Sequence, residues 1–410
     1  MSKSPPPDGP AAAGLSLTKR FVFGMLLFGI VLTVLELGAQ VYLRATRGYA
    51  GGEFMQYQFD PYKNIMLTPS WRDTRGVSHN AQSFRRTSPV TQQKASGTFR
   101  VILMGASTAY GLGGMWPHLQ TEFAVLNDST TIDSYLEPML AAALPGLKVE
   151  VINAGIPSVW THHHLIYLNQ AILAYEPDLV LFLDGWNDHF FYSGDHDQFA
   201  SYIQTEQASR IMGTPTIASL VRMNAWWLFR KSAFAHVTGR ALQAVAPTLR
   251  GGGGPPPPID PDSATAVATR TFDRNARKMI ERNALILQHE GIPALFMLQP
   301  VLALERDRLA RMPDIERRLF DFNLTAERPG YEQYIRRVVP IVSERVRETV
   351  TPLGGSYLDL TAIYDRPMGQ IFTDYCHLTP TGNRLLAEFI LPEVVRLARV
   401  RIAANSGAAR

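Results

Sequence analysis

The sequence predicts an α/β fold in which a parallel sheet is covered by helices on both faces, with one apolar helix placed ahead of it. Two observations carry the sheet. Five short apolar runs alternate with helical patterns between residues 98 and 400. Most of these runs stop at a glycine or proline, as strands do where they meet a turn. The third observation concerns the leading helix: Phe21–Leu43 is a 23-residue stretch that is almost wholly apolar.

Residues 1–20 begin rich in Pro, Ala and Gly and end in Lys19 and Arg20, and they read as a disordered tail. Residues 21–43 follow as a transmembrane helix. At 1.5 Å per residue the stretch spans about 34 Å, against a bilayer core of about 30 Å. A cleaved signal peptide is the competing reading. Ala39 suits a cleavage site, but Leu37 is a poor partner two residues earlier and the run is long for a signal sequence. Glu36 interrupts the run past its midpoint. Snorkelling to the far interface is its expected behaviour, and a contact inside the membrane is the alternative. Basic residues flank both ends (Lys3, Lys19, Arg20; Arg44, Arg47). The short basic tail favours an inside N-terminus, which places the bulk of the chain outside the cytoplasm.

Residues 44–97 read as a polar connector. The domain proper is expected over 98–402. Its strands are FRVILMG (99–105), LKVEVINAG (147–155), PDLVLFLDG (177–185), PALFMLQP (293–300) and SYLDLTAIY (356–364). Helical patterns separate them, including one before the fourth strand with Phe272, Ala276, Met279, Ile286 and Leu287 at helical spacing and Gly291 as its stop. Residues 189–268 break the alternation and read as an insertion; GGGGPPPP (251–258) within it is a flexible surface loop. The Arg- and Glu-rich stretch 301–340 reads as a helical elaboration.

Composition excludes several classes. The net charge is +4 over 410 residues, and no basic run alternates with aromatics, so a nucleic-acid partner is not expected. Cys376 is the single cysteine, which rules out an intrachain disulfide and a Cys-based metal cluster. His162, His163 and His164 are consecutive, cannot share one helical face, and have no carboxylate at a ligand spacing, so no metal site is expected there. The glycines at 111, 113 and 114 lack the Lys-Ser/Thr of a phosphate loop. Nothing calls for a cofactor.

In an open parallel sheet, sites form at the carboxyl ends of the strands. There the sequence places GASTAYG with Ser107, NAGIPS with Gly155, GWND with Asn187, and, near the chain's end, DYCH with Asp374 and His377. A serine hydroxyl needs a base to become a nucleophile. His377 suits that task, and Asp374, three residues earlier, can reach its ring to fix the tautomer. The backbone N–H groups of Ser107 and Gly155 and the amide of Asn187 are candidate oxyanion donors. Asp188, His189, Gln299 and His162 lie near these loops and are candidate pocket residues. Cys376, between acid and base, reads as a buried small residue.

Taken together, Ser107, Gly155, Asn187 and His377 in four ordered blocks, with Asp374 in a D-x-x-H pair, resemble the SGNH (GDSL-like) hydrolase superfamily. Ala106 stands where that family's eponymous motif has Asp. NAQSFR (80–85) is similar to a lead-in of membrane-anchored bacterial members, with Ser83 where Gly is usual. The resemblance implies a flavodoxin-like three-layer α/β/α sandwich, the SGNH hydrolase fold. It also implies an esterase, lipase or deacetylase activity through a Ser-His-Asp triad and an acyl-enzyme. A catalytic domain outside the cytoplasm, on the periplasmic side, would meet O-acyl groups of an envelope polysaccharide or lipid. An O-acyltransferase with the same triad, and a non-catalytic envelope scaffold, are the alternatives.

Overall fold

The computed structural model describes residues 16–47, 56–60, 64–73, 75–114, 126–190, 231–249, 258–305, 310–321, 329–364 and 369–408. Of the tail expected at residues 1–20, residues 1–15 lie outside the described residues, as does most of the glycine–proline loop (251–257), whereas Leu17–Arg20 are helical.

The first described element is α1 (Leu17–Arg47), followed by a two-stranded antiparallel hairpin of β1 (Tyr57–Asp60) and β2 (Asn64–Leu67). The expected strands form one parallel sheet: β3 (Thr98–Gly105), β4 (Lys148–Asn153), β5 (Leu179–Asp184), β6 (Ala294–Leu298) and β7 (Ser356–Asp359), in the order β4-β3-β5-β6-β7. This is the flavodoxin-like order, in which the chain reverses direction across the sheet beside β3.

Side chains alternate along each strand and feed two cores. Ile102, Met104, Val180, Phe182, Ala294, Phe296 and Leu298 enter one. Val101, Leu103, Leu179, Leu181, Leu183, Leu295 and Met297 enter the other. Both faces are apolar because both are covered, which is why the strands read as continuous apolar runs. The first face carries α4 (Thr161–Gln170), α8 (Arg277–His289) and α10 (Tyr331–Val350), through Tyr167, Ile280, Leu287, Val338 and Val342. The second carries α3 (Ile132–Ala143) and α11 (Pro380–Ala408), through Leu136, Leu140, Leu386, Ile390 and Val394. Between strand and helix on the site edge lie two short turns of helix, α2 (Ser107–Tyr110) and α5 (Trp186–Phe190).

The insertion contributes α6 (Ala233–Leu249) and α7 (Pro261–Thr271). Asp260 caps α7 by accepting from the Ser263 N–H at 3.1 Å. A π-turn over Phe272–Ala276 then joins α7 to α8 as one continuous rod. Within 301–340, α9 (Asp314–Phe320) and the start of α10 are described.

The structure corrects two expectations. The stretch 44–97 is more than a polar connector: Trp71, Val77, Phe84 and Val90 are buried in the core of the first face, and Arg85 is buried beside them. Apart from the short run Ile65–Leu67 in β2, its buried apolar residues are spaced singly among polar ones, so no extended periodicity announces them. Glu36 does not merely snorkel. Its carboxylate accepts from Ser232 Oγ at 2.6 Å and from the N–H groups of Ala233 and Phe234 at 2.9 and 3.1 Å, capping α6. Gln40 adds a bond at 3.0 Å one turn along α1. Nearby, Leu43 is buried and Ala39 packs against the same core, while α1 from Phe21 to Val41 exposes most of its large apolar side chains.

Candidate active site

The site begins where β3 runs out. Gly105 passes so close to β5 that a Cβ there would sit 2.4 Å from the Leu183 carbonyl oxygen. The chain then turns through Ala106 into α2, which lifts the partly exposed Ser107 onto the carboxyl edge of the sheet. Gly155, after β4, is forced by a second close approach: a Cβ there would lie 2.4 Å from the Tyr110 N. No larger residue lets the β4 loop lie against α2.

From the far end of the chain, Phe372 and Leu378 form an isolated antiparallel bridge that closes a tight loop. The Thr373 N–H donates to the His377 carbonyl at 2.9 Å across it. Within the loop, Asp374 Oδ1 accepts from the N–H groups of Cys376 and His377 at 2.9 and 2.8 Å. Asp374 Oδ2 lies 2.7 Å from His377 Nδ1, and His377 Nε2 lies 2.7 Å from Ser107 Oγ. Thr108 Oγ1 reaches the Cys376 carbonyl at 3.4 Å and ties the loop to α2. Three side chains from residues 107, 374 and 377 are thus strung on one hydrogen-bonded line.

The electrostatics follow from burial. Asp374 is fully buried, which by itself raises a carboxyl pKa. The His377 ring and the two backbone N–H donors outweigh this and hold it below the ordinary carboxylate value. A carboxylate at Nδ1 keeps the proton on that nitrogen and leaves Nε2 to accept from the Ser107 hydroxyl.

The candidate oxyanion donors differ in state. Ser107 N–H lies in the first turn of α2, where backbone donors have no partner within the helix. Asn187 donates one amide hydrogen to the Val159 carbonyl at 2.7 Å and retains a second. The Gly155 N–H, expected as a donor to an oxyanion, donates to Asn153 Oδ1 at 3.0 Å in this arrangement. Asn153 is itself fully buried and its amide bonds the Ala109 carbonyl and Asp133 Oδ1. Sequence reading missed Asn153 and Asp133, since a polar strand-end residue and a first-turn aspartate carry no signal of their own.

The expected pocket residues separate. Asp188 is turned inward and buried, its Oδ1 accepting from Thr161 N–H and Oγ1–H at 3.1 and 2.8 Å; it caps α4 and does not line the open site. Gln299 is likewise buried, beside Cys376, and its N–H donates to the Asp184 carbonyl. Adjacency along the chain suggests the open site for both, but α5 for Asp188 and the turn after β6 for Gln299 direct them inward. The side chain of His189 lies outside the described residues. His162 is half-buried against Trp160, their ring centroids 4.8 Å apart; burial, with His164 adding to it, pushes its pKa down to about 3 and keeps it neutral. The neighbouring histidines go elsewhere: His163 Nδ1 accepts from the Trp160 N–H, and His164 Nδ1 lies 2.9 Å from Asp184 Oδ2. Among the described residues, the side chains gathered closely enough to hold a metal ion are Asp374, Cys376 and His377, whose ligand atoms lie within 4.8 Å of one another. Two of those already serve the hydrogen-bonded line. Burial, with the Asp374 charge adding to it, pushes the Cys376 thiol well up, so it stays protonated.

The stretch after α1 supports the nucleophile turn from behind. Tyr110, which ends α2, receives a hydrogen bond from Gln56 Nε2 at 2.5 Å and meets His79 Nε2 at 2.9 Å. The Arg85 guanidinium sits 4.2 Å above its ring and donates to the Gly111 carbonyl. The nucleophile turn is therefore braced by residues that precede the sheet.

No protein-family model and no curated protein matches the chain. Several solved structures do. A lipase/acylhydrolase from Enterococcus faecalis is 16% identical, with 72% of this chain and 95% of that one covered and a TM-score of 0.33. An acetylxylan esterase from Geobacillus stearothermophilus is 13% identical, with 72% and 94% covered and a TM-score of 0.36. An alpha/beta hydrolase from the metagenome of Lake Arreo, Spain, is 11% identical, with 73% and 95% covered and a TM-score of 0.36. At such identities and scores these likenesses carry no argument about activity, which rests on the geometry of the site.

Proposed function

We propose that the chain is a serine ester hydrolase of the SGNH type, with Ser107 as nucleophile, His377 as general base and acid, and Asp374 orienting and charging the imidazole. The observation that carries this reading is the continuous line Ser107 Oγ–His377 Nε2 and His377 Nδ1–Asp374 Oδ2, 2.7 Å at each step. His377 takes the hydroxyl proton as Oγ attacks an ester carbonyl. The developing oxyanion is met by the Ser107 N–H and the second Asn187 amide hydrogen, and by the Gly155 N–H where it exchanges Asn153 for substrate. His377 then protonates the leaving alcohol, and water attacks the acyl-enzyme through the same base.

Location narrows the substrate. The helix Leu17–Thr46 is long and apolar enough to cross a membrane by length and composition. We read it as a single-pass anchor that holds the catalytic domain on the periplasmic side, where O-acyl groups of envelope polysaccharides or lipids are the fitting esters.

The full chain in detergent micelles, assayed on short p-nitrophenyl esters beside Ser107→Ala, tests the assignment. The variant should lose at least about 10³-fold in kcat, and fluorophosphonate labelling should vanish with it. Equal hydrolysis by both proteins would overturn the nucleophile. The full chain is the right protein because Ala39, Leu43 and Glu36, all within α1, pack on or bond to the rest of the molecule.

A further inference from the structure

Behind the Asn187 loop, on the face of the sheet that carries α4, α8 and α10, lies a small internal cavity of about 20 Å³. Most of its wall is apolar, from residues such as Phe182, Phe296 and Val342. Four polar side chains interrupt it: Thr161, Asp184, Asp188 and Asn283. Asn283 projects from α8, is 0% exposed, and has neither amide atom hydrogen-bonded among the described residues. Leaving a buried donor or acceptor unsatisfied forfeits its hydration with nothing in return, so a native core rarely keeps one without a partner. Asp188 is 2% exposed, and its two bonds from Thr161 fall on Oδ1 alone.

We propose that this cavity is a hydration site, in which one internal water bridges the Asn283 amide to the Asp188 carboxylate and so holds the Asn187 amide in place. Volume and chemistry agree. A water needs about 10–15 Å³ by this kind of measure and two to four polar partners. Asn283 presents both an acceptor and a donor, and a water can serve both, whereas a metal ion would use only the amide oxygen. The charge of Asp184 is already met by His164 at 2.9 Å.

The link to the site is short. Asp188 grips Thr161, and Asn187 grips the Val159 carbonyl at 2.7 Å. Two adjacent residues thus hold one three-residue turn from two sides, and the water fixes the back of that clamp. Asn283 is a positioning residue: it touches no substrate and acts through Asp188 and the 159–161 turn on the Asn187 amide. The consequence for rate rests on the proposed esterase reading; the water itself does not.

The test has a structural and a kinetic arm. A crystal structure of the full chain at better than about 2 Å should show one water within hydrogen-bonding reach of both Asn283 and Asp188. In Asn283→Leu the water should be gone and the Asn187–Val159 bond displaced. With p-nitrophenyl butyrate, Asn283→Leu should lower kcat about tenfold with KM within twofold, and Asn283→Ser, which can still bond a water, should lie between it and wild type. In an Asn187→Ala background, Asn283→Leu should cost little more. An ion with several oxygen ligands at about 2.4 Å, an apolar cavity without density, or an equal loss of kcat in both backgrounds would overturn the proposal. If the wild-type chain hydrolyses no ester, the esterase reading fails while the crystal structures still decide the water.

Discussion

The Glu36 carboxylate accepts a hydrogen bond from Ser232 Oγ at 2.6 Å, joining the apolar leading helix to the residue just before α6 across 196 residues of sequence. The same carboxylate takes the first free N–H groups of α6, which a helix cannot satisfy by itself. Removing such a cap costs about 0.5–2 kcal/mol. Glu36→Ala should therefore loosen α6 from α1 without touching Ser107. Limited proteolysis in micelles should cut within 231–249 faster in the variant, with ester hydrolysis changed less than twofold. Unchanged cleavage would show that the contact does not hold the helix.

Asp374→Asn keeps the size of the side chain but removes the charge that stabilises a protonated imidazole. It also offers an N–H₂ group where an acceptor is needed. A fall of about 10⁴-fold in kcat is expected, with KM little changed. Measuring kcat and KM separately checks this, since a merely structural role for Asp374 would lower the amount of folded enzyme and leave its burst-titrated turnover intact.

Gly155→Ala places a methyl group 2.4 Å from the Tyr110 N, a contact that must push α2 and Ser107 away from His377. The variant should lose more activity than Asn187→Ala, for which about 10²–10³-fold is expected from the loss of one donor. Fluorophosphonate labelling rates rank the two; faster labelling of Gly155→Ala would show that the turn tolerates the shift.

The carboxyls of Asp133 and Asp188 are each lifted to about 6, by burial first; the Asn153 bond opposes this at Asp133, and the charge of Asp184 adds to it at Asp188. In the unfolded chain both ionise at about 4. Between those values the folded protein holds protons that the unfolded chain has released, so these groups make stability fall as pH rises from about 4 to 6. Asp133→Asn removes one such titration. Wild-type stability relative to the variant should decline across that window, by at most about 3 kcal/mol, and level off above it. Chemical unfolding at a series of pH values checks the sign; a relative stability that climbs with pH would contradict it.

Tyr110→Phe removes a hydroxyl that contacts both Gln56 and the buried His79. His79 is left with an unpartnered ring nitrogen at that position, so a loss of about 1–3 kcal/mol is expected. Thermal unfolding in micelles measures it, and an unchanged midpoint would mean that water replaces the hydroxyl.

Much of this was legible in the chain order of residues. Strands buried on both faces must be apolar nearly throughout, so β3, β5 and β6 stand out as runs such as FRVILMG and LVLFLD, while the edge strands β4 and β7 keep polar residues among their apolar ones. Parallel strands also bring their carboxyl ends to one edge, which is why Ser107, Gly155, Asn187 and His377 could be grouped before their distances were known. Asp374 and His377 lie close enough in sequence for one turn to pair them.

Other features depend on packing between distant segments, and no local pattern encodes them. Arg85 and His79 brace the nucleophile turn from a stretch whose polar composition suggested a bare connector. Asp188 and Gln299 follow strand ends like their neighbours, yet the backbone turns them inward. Position along the chain alone makes the Gly155 N–H a candidate donor, and only the fold reveals Asn153 Oδ1 beside it. Sequence determined which side chains reach the edge of the sheet, because pleat and handedness follow from the backbone. Tertiary structure decided which of their hydrogen bonds are already occupied, because that depends on partners brought together only when the cores close.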